Sequence, residues 1–240
     1  MAKRKTRRKT KKTPAARVFV RRVLRGMVAV VLGAVALVTV LMMLGRFVAP
    51  VTTPYMFSEA RRLGGIAYDF VPLDQIAPVM ARSVVAAEDA NFCTHWGFDM
   101  AAIRLALEEG GARGASTISQ QTVKNLYLWH GRNYTRKALE ALMTPGLEAI
   151  WPKERIIEVY LNIAEFDAGV FGVKAAARHY FGVAPADLTA VQAARLAAIL
   201  PDPKDRSASK PSAFVRKRAA AIVDGAATIR KDGRAACFES

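Results

Sequence analysis

The sequence predicts a mainly α-helical domain that lies behind one N-terminal transmembrane helix. Three observations predict this fold class. The length of 240 residues suits one membrane anchor and one compact domain. An uncharged apolar run near the N-terminus is as long as a membrane span. Beyond residue 73, apolar residues recur at three- and four-residue spacing, as in amphipathic helices, and no alternating run is long enough to predict a substantial sheet.

The first segment is a basic tail, residues 1–25, which holds twelve Lys or Arg and no acidic residue. The remaining residues hold 24 basic and 20 acidic side chains, so most of the net charge of +16 belongs to the tail. A basic tail binds either nucleic acid or anionic lipid. The apolar segment that follows it favours lipid, and we predict no nucleic-acid partner.

The second segment is the predicted transmembrane helix, residues 26–46. From Gly26 to Gly45 there are 20 residues without a charge. A helix of that length is about 30 Å long, close to the hydrocarbon thickness of a bilayer. The alternative is a cleaved signal peptide, but its apolar run is usually only ~7–15 residues and is followed by small residues for cleavage. We therefore predict a retained anchor with the basic tail in the cytoplasm and the chain beyond residue 46 outside.

Residues 47–72 are predicted to be a juxtamembrane linker, because prolines and glycines interrupt its periodicity. Within it, the stretch 67–73 could be extended. The folded domain is predicted over residues 73–232, and Pro145 is expected to break one of its helices. Its predicted helical segments are 75–90, 99–109, 117–130, 133–144, 153–164, 172–180, 189–200 and 212–230.

The two cysteines, Cys93 and Cys237, would lie in an oxidising compartment under this topology. They could form a disulfide, but the sequence does not give the distance between them. Two cysteines far apart in the chain, with the single histidine His95 near Cys93, do not form a zinc-site pattern.

The first candidate for chemistry is the carboxylate pair Glu88 and Asp89, which follows an apolar helical segment. A carboxylate at the end of an apolar helix is partly desolvated, which raises its pKa and favours acid–base catalysis. The alternative interpretation is a solvated helix end. His95, seven residues later, would by itself more often be structural.

The second candidate is the segment 114–125, in which Ser116 or Thr117 can cap a helix. Ser116, Gln120 and Lys124 are spaced to share one helix face. A helix N-terminus and a lysine suit an anion such as pyrophosphate. Gln120 and Gln121 suit the hydroxyl or acetamido groups of a sugar, although a polar face turned to solvent is the alternative.

The third candidate is the set Arg132, Arg136 and Glu140, again at four-residue spacing. Taken alone, it could be a surface ion pair that contributes only ~0.3–0.5 kcal/mol. Just before it, Tyr127-Leu-Trp129 is an aromatic cluster that could enter a membrane interface or pack in the core. Two further segments, 153–162 and 169–177, are interpreted as architectural.

Taken together and in this order, these segments resemble the family-51 glycosyltransferase domain of penicillin-binding proteins, and most closely its monofunctional transglycosylases. The resemblance covers residues 69–214. Its motifs are E-D-x-x-F-x-x-H-x-G from Glu88, G-A-S-T-I-S-Q-Q-x-x-K-N from Gly114, R-K-x-x-E from Arg136 and the Y-L-N helix at Tyr160. Two departures are a short stretch between residues 107 and 114, which suggests an abbreviated loop, and Leu139, where some members have lysine.

The resemblance implies a lysozyme-like helical glycosyltransferase domain with a cleft. It implies that Glu88 is the general base, that Asp89, Phe92 and Gly97 shape its surroundings, and that Glu140 has a second acidic catalytic role. It assigns substrate binding to Asp89, Phe92, Ser116, Gln120, Gln121, Lys124, Arg132, Arg136 and Lys137.

The resemblance further implies that the substrate is lipid II, a disaccharide-peptide joined through pyrophosphate to a polyprenol. The partners would be lipid II, the growing glycan chain, membrane lipid and other cell-wall synthesis or division proteins. No cofactor is required by the sequence, although a divalent cation, Mg²⁺ or Mn²⁺, could bridge the pyrophosphate and Glu140. The implied location is the inner membrane, crossed once, with the domain in the periplasm.

Two other classes of protein compete with this interpretation. A lytic enzyme that cleaves finished glycan would share the catalytic glutamate, but it has no pyrophosphate to neutralise, so the basic residues between 124 and 137 favour synthesis. A membrane-anchored scaffold could use the basic tail to hold nucleic acid or division proteins, but a scaffold needs none of the candidate site residues.

Overall fold

The computed structural model describes residues 14–109, 114, 116–131 and 133–239. The basic residues before Pro14, most of the stretch where an abbreviated loop was predicted, and Arg132 lie outside the described residues. The chain divides into two compact units, with the boundary between Leu44 and Gly45.

The first unit is formed by helix α1 (Pro14–Phe47), which continues into the start of the second. It begins well before the predicted span of 26–46, because the arginines between Arg17 and Arg25 are good helix formers and no proline interrupts them. By length and composition, Arg17–Phe47 is the one candidate membrane span among the described residues. The helix is therefore a candidate single-pass anchor.

The second unit is mostly helical, as the sequence predicts. Two short 3₁₀ turns, Leu73–Gln75 and Pro185–Asp187, accompany its helices. The helices are α2 (Pro54–Leu63), α3 (Pro78–Glu88), α4 (Met100–Glu108), α5 (Ile118–Tyr127), α6 (Tyr134–Ile150), α7 (Lys153–Ile163), α8 (Gly172–Phe181), α9 (Ala190–Ile199) and α10 (Ala213–Lys231).

Helix α2 lies in the stretch that was predicted to be a linker, so that part of the prediction is wrong. The residues taken as helix breakers mark the ends of this helix instead. Thr53 caps its N-terminus by accepting the Met56 N–H, Pro54 occupies its first turn, and Gly64 ends it at φ +78°. Proline at the start and glycine just past the end are the positions where helices tolerate them best.

A small sheet joins residues far apart in the chain. Strand β1 (Ala67–Tyr68) runs parallel to β3 (Val170–Phe171), which pairs antiparallel with β2 (Glu165–Asp167). The first strand lies in the stretch considered extended. With two or three residues each, the strands are too short to produce a recognisable alternating pattern.

Pro145 does not break its helix, contrary to the expectation. Helix α6 continues for five residues beyond it, to Ile150. Proline removes one intrahelical hydrogen bond and costs about 3 kcal/mol in an isolated helix. Burial of Thr144, Leu147 and Glu148 around the proline packs the helix against the rest of the unit and offsets that cost.

The core brings the candidate segments together. Helix α10 packs against α9 and α3, and α5 packs against α6 and α7. The end of α3, which carries Glu88, therefore lies near α10, while the glutamine-rich α5 lies beside the helix that carries Glu140.

A disulfide links Cys93, in the loop after α3, to Cys237 near the C-terminus, with 5.6 Å between the Cα atoms. Phe238 packs against Phe92 beside it, with ring centroids 6.2 Å apart. Glu239 accepts two hydrogen bonds from Arg82 of α3 at 2.8 and 2.9 Å. The C-terminal segment is thus fastened to the loop that follows the candidate base.

Replacing both Cys93 and Cys237 with serine is expected to lower the free energy of unfolding by about 2–5 kcal/mol, because the disulfide closes a long loop. Urea denaturation of the full chain in detergent, with and without a thiol reductant, measures this. Reductant should lower the stability of the wild type to that of the variant and leave the variant unchanged. Equal stability of the oxidised wild type and the variant would contradict the prediction.

Candidate functional site

Glu88 is the last residue of α3, whose apolar side chains Val84 and Val85 are fully buried. Packing of this helix in the core places the Glu88 carboxylate in a half-enclosed position, where the side chain is 13% exposed. Burial raises the pKa of Glu88, and a hydrogen bond from Gln121 opposes this, as do the charges of Arg218 and Lys124. A carboxyl group with a raised pKa is suited to take up a proton during a reaction.

Asp89 connects α3 to the start of α5. One carboxylate oxygen lies 2.8 Å from Nε2 of His95, and the other accepts the Ile118 N–H at 3.0 Å. The residue is buried and both of its oxygens are engaged within the protein. Asp89 therefore positions the base and the helix N-terminus, and the prediction that it contacts substrate is not supported.

Phe92 was also assigned to substrate binding, and its position contradicts direct contact. The ring is fully buried, packs against Phe238 and His95, and lies under the ammonium group of Lys153 at 4.4 Å. Burying a phenyl ring is strongly favourable, so Phe92 holds the loop after Glu88 against the core.

Gln120 is committed to the N-terminus of α5. Thr117 accepts the Gln120 N–H, and the Gln120 side chain accepts the Thr117 N–H at 3.0 Å, which completes a capping box. Gln120 is buried, so its predicted contact with sugar is wrong, and the T-x-x-Q pattern could have indicated the cap. The four-residue spacing had suggested that Ser116 shares a helix face with Lys124. Ser116 instead precedes the helix, so that prediction is wrong.

Gly97 holds the loop against this cap. Its carbonyl accepts a hydrogen bond from the Thr117 hydroxyl at 2.7 Å. Its φ of +89° suits glycine, and a Cβ there would lie 2.7 Å from Cγ2 of Thr144. The backbone next to the base thus needs a residue without a side chain.

Gln121 is the residue that contacts the candidate base. Its Nε2 donates to Oε2 of Glu88 at 3.0 Å, and its Oε1 accepts from the Tyr160 hydroxyl at 3.2 Å. Burial raises the pKa of Tyr160 well above its usual value, so this hydroxyl remains a donor. Tyr160 therefore orients Gln121, a part in the site that the architectural interpretation of its segment had missed.

Replacing Gln121 with alanine is expected to shift the acidic limb of the pH–rate profile to higher pH. The amide stabilises ionised Glu88 and lowers its pKa, so its loss leaves the raising effect of burial less opposed. The kcat/KM measured between pH 4.5 and 8, with the substrate that the sequence resemblance implies, tests this, and exposed Gln75→Ala serves as the control. An acidic limb unchanged from wild type would contradict the prediction.

Arg218 of α10 also faces the base, with Nη2 3.6 Å from Oε1 of Glu88. Its positive charge lowers the pKa of Glu88 and so opposes burial. No pattern in the sequence connects two residues so far apart in the chain, and only the packing of α10 on α3 reveals the contact.

A buried ion cluster lies on α6. The guanidinium of Arg136 donates to Glu140 at 2.8 Å, and Lys137 donates to the other Glu140 oxygen and to the Ser116 hydroxyl at 2.9 Å. The side chains of Arg136 and Glu140 are only 10% and 3% exposed, so the surface ion-pair interpretation is wrong. Removing one member of a buried pair costs far more than a surface pair contributes.

The metal bridge predicted at Glu140 stays a prediction. Each of its carboxylate oxygens accepts a hydrogen bond from a cation, and each keeps a further lone pair. Among the described residues no group of three His, Cys, Asp or Glu could hold a metal ion, so a cation at Glu140 would depend on oxygens of the substrate.

Lys124 differs from the other cations of the site. Among the described residues, no carboxylate lies within ion-pairing distance of its ammonium group, and the residue is half-buried. Burial lowers the pKa of Lys124, and the neighbouring charges of Arg136 and Lys137 lower it further, while Glu140 and Glu88 oppose this. A cation without a fixed partner is available to an anionic ligand.

The residues of the candidate site line two cavities. The larger, about 450 Å³, is lined by Gln121, Lys124, Arg136 and Tyr160 among others. The smaller, about 260 Å³, is lined by Glu88, Asp89, Ser116 and Thr117 among others. The hydrogen bond between Glu88 and Gln121 therefore joins a residue of one cavity to a residue of the other.

The fold and site define a class: a helical enzyme with one desolvated carboxylate beside a cavity that Lys124, without a fixed partner among the described residues, opens to an anionic substrate. The comparisons with known proteins identify the family. The transglycosylase family model matches residues 59–227, so the chain belongs to the transglycosylase family, whose domain has a lysozyme-like helical fold.

Three relatives carry the same printed name, biosynthetic peptidoglycan transglycosylase. The protein from Jannaschia sp. (strain CCS1) is 63% identical over 90% of this chain and 88% of its own length. The protein from Caulobacter vibrioides is 47% identical over 91% of this chain and 98% of its own. The protein from Escherichia coli O127:H6 is 56% identical over 65% of this chain and 66% of its own.

Proposed function

We propose that this protein is a peptidoglycan glycosyltransferase that polymerises lipid II into glycan strands and releases undecaprenyl pyrophosphate. Membership of the transglycosylase family and the names of the relatives support glycan polymerisation in cell-wall synthesis. The observation that carries the assignment is the desolvated Glu88, joined through Gln121 to a cavity lined by cations.

In the proposed reaction, Glu88 takes the proton from the sugar 4-hydroxyl of the acceptor unit. The freed oxygen attacks the anomeric carbon of the donor, the bond from that carbon to the phosphate oxygen breaks, and the α linkage becomes β. The acceptor hydroxyl would approach from the smaller cavity, which Glu88 lines. The protein thus supplies one base and leaves the new bond to the aligned substrates.

The leaving pyrophosphate develops negative charge that the protein must neutralise. Lys124 and Arg136 line the larger cavity, and Lys137 lies beside Arg136 in the cluster around Glu140. Preorganised cations in a water-poor site stabilise such charge strongly. We assign the donor pyrophosphate to this cavity, and we retain Arg132 as a further pyrophosphate contact on the basis of sequence alone.

Glu140 serves in this proposal as the anchor of two cations rather than as an acid or base. Its ion pairs fix Arg136 and hold Lys137 against Ser116. The second acidic role implied by the resemblance is therefore best understood as positioning.

Incubation of the purified full chain in detergent with labelled lipid II is the experiment that tests the function. Glycan polymers should accumulate, and purified cell wall should remain uncleaved. Release of soluble fragments from cell wall without polymer formation would instead support a lytic enzyme.

We further propose that α1 anchors the protein in the inner membrane, with the catalytic unit in the periplasm and the basic tail on anionic lipid. Of the aromatic cluster, Leu128 is buried and Trp129 is 45% exposed, so only Trp129 remains a clear candidate for the membrane interface. A reporter active only outside the cytoplasm should give signal when fused after residue 60 and none before residue 25. The reverse pattern would overturn the proposed topology.

Partners among other cell-wall synthesis or division proteins stay a prediction that in-cell crosslinking can test.

A further inference from the structure

His130 lies just beyond α5, on the wall of the larger cavity. Its imidazole stacks on the ring of Tyr55, with centroids 4.2 Å apart and an angle of 14° between the planes. Tyr55 is buried, and its hydroxyl donates to Glu165. A fixed aromatic support therefore holds the imidazole at the cavity edge.

The surroundings of His130 are charged, and the two carboxylates beside its supporting Tyr55 already have partners. Glu59 accepts from Arg62 and from Lys204 at 3.0 Å, and Glu165 accepts from Tyr55 and lies 3.5 Å from Lys204. The titratable and charged groups around the imidazole or along its cavity are Tyr55, Glu59, Lys124, Arg136, Tyr160, Glu165, Asp202, Lys204 and Asp205.

Three cations and three carboxylates line this cavity, and the cations act more strongly on the imidazole. Partial burial lowers the pKa of His130, the charges of Lys124, Lys204 and Arg136 lower it further, and only Glu59 opposes them. The neutral form of the imidazole is therefore favoured. Among the described residues, neither of its ring nitrogens has a hydrogen-bond partner, so both are available to a ligand.

An anion in the cavity would reverse this balance. A pyrophosphate group placed among Lys124, Arg136 and Lys204 offsets the positive charge that disfavours the imidazolium, and its oxygens can accept an imidazolium N–H. Binding of the anion and protonation of the imidazole then promote each other, as any two linked equilibria must.

We propose that His130 is an additional binding residue for the substrate's pyrophosphate, and that it takes up one proton from solvent when pyrophosphate enters the cavity. The proposal rests on the proposed function, which supplies a pyrophosphate-bearing substrate. The proton adds to a ring nitrogen that carries a lone pair, and no covalent bond to the substrate forms. The pocket thus gains a positive charge when the ligand arrives and loses it when the ligand leaves.

The direct test is nuclear magnetic resonance of the full chain in detergent micelles with isotope-labelled histidine, using inorganic pyrophosphate as the probe. The chain has three histidines, which makes assignment by single substitution practical. The imidazole signals of His130 should titrate at higher pH when pyrophosphate is saturating. His179, which pairs with Asp167 outside the cavity lining, serves as the internal control and should titrate at the same pH in both cases. An unchanged titration of His130 would overturn the proposal.

The second test compares pyrophosphate affinity in wild type and His130→Asn between pH 6 and 8, with His179→Asn as the matched control. Pyrophosphate itself titrates in this range, so the ratio of the two affinities at each pH is the informative quantity. The ratio of wild-type affinity to variant affinity should be on the order of fivefold larger at pH 6 than at pH 8. The reason is that only the wild type gains a proton when the ligand binds. A ratio that does not vary with pH, or a wild type that does not bind pyrophosphate, would overturn the role of His130. Lipid II polymerisation by the same preparation is measured in parallel, and its absence alone would count against the proposed function.

Discussion

Glu88→Gln is expected to lower the rate of lipid II polymerisation by at least ~10²-fold, because the amide keeps the size of the side chain and removes the base. The carboxylate lies at the end of a buried helix, with Gln121 and Arg218 directed at its two oxygens. No described carboxylate is placed to replace it, since Asp89 is engaged with His95 and α5, and Glu140 with two cations.

The same substitution should leave folding intact, and the direction of the pKa shift says why. The pKa of Glu88 is raised in the folded chain by burial, so the folded state resists its ionisation. That cost to stability appears as the pH rises through the unfolded value and is complete above the folded pKa. At neutral pH a neutral glutamine therefore removes an unfavourable ionisation, and the thermal midpoint should not fall.

Steady-state polymerisation and thermal melts at pH 7 distinguish loss of chemistry from loss of fold. The matched control is Glu154→Gln, at an exposed position in the first turn of α7, which should match wild type in both assays. Near-normal turnover in Glu88→Gln would remove Glu88 from the mechanism. Lost turnover with a clearly lower midpoint would instead show that the glutamate is structural.

The helices of the second unit could be predicted from the sequence because their apolar periodicity is local information. The predicted segments 153–164 and 189–200 lie within one residue of α7 and α9 at each end. Helix α2 escaped prediction because its flanking proline and glycine were interpreted as interruptions, although both residue types also mark helix ends. The sheet could not be predicted because its strands have only two or three residues each, and because β1 pairs with β3 across about a hundred residues of chain.

The candidate site also has a part that the sequence predicts and a part that depends on tertiary structure. Glu88, Gln121 and Lys124 could be found because a desolvated carboxylate and a polar helix opening are visible in the motifs. The T-x-x-Q pattern could have separated Gln120, which caps α5, from its neighbour Gln121. That Gln121 faces the base could not be predicted, because this contact joins two helices. The contribution of Arg218 depends entirely on tertiary packing.

Lys124→Ala is the second substitution expected to have a large effect. Lys124 lines the larger cavity, and among the described residues no carboxylate neutralises it before substrate arrives. Its interaction with pyrophosphate should strengthen as the bond to the anomeric carbon breaks and charge accumulates on the leaving group. Loss of such a contact in a water-poor site costs about 2–4 kcal/mol of transition-state stabilisation.

Arg136 would give a less direct test of the same idea. Its guanidinium is buried against Glu140, so Arg136→Ala would leave a carboxylate without one of its two cations and would lower stability as well as activity. Lys124 holds no such partner among the residues described here, and burial already lowers its pKa, so the folded chain gains little from its charge in the absence of ligand. A defect in Lys124→Ala therefore reports on the reaction.

The kinetic pattern separates transition-state stabilisation from simple binding. Lys124→Ala should lower kcat for lipid II polymerisation more than it raises KM, because the contact is stronger in the transition state than in the bound substrate. The thermal midpoint should remain near that of wild type. The matched control is Lys217→Ala on the exposed face of α10, which should leave both kinetic constants unchanged. Normal turnover in Lys124→Ala would contradict the assignment of the larger cavity to the leaving pyrophosphate, while the role of Glu88 as the base would stand on its own evidence.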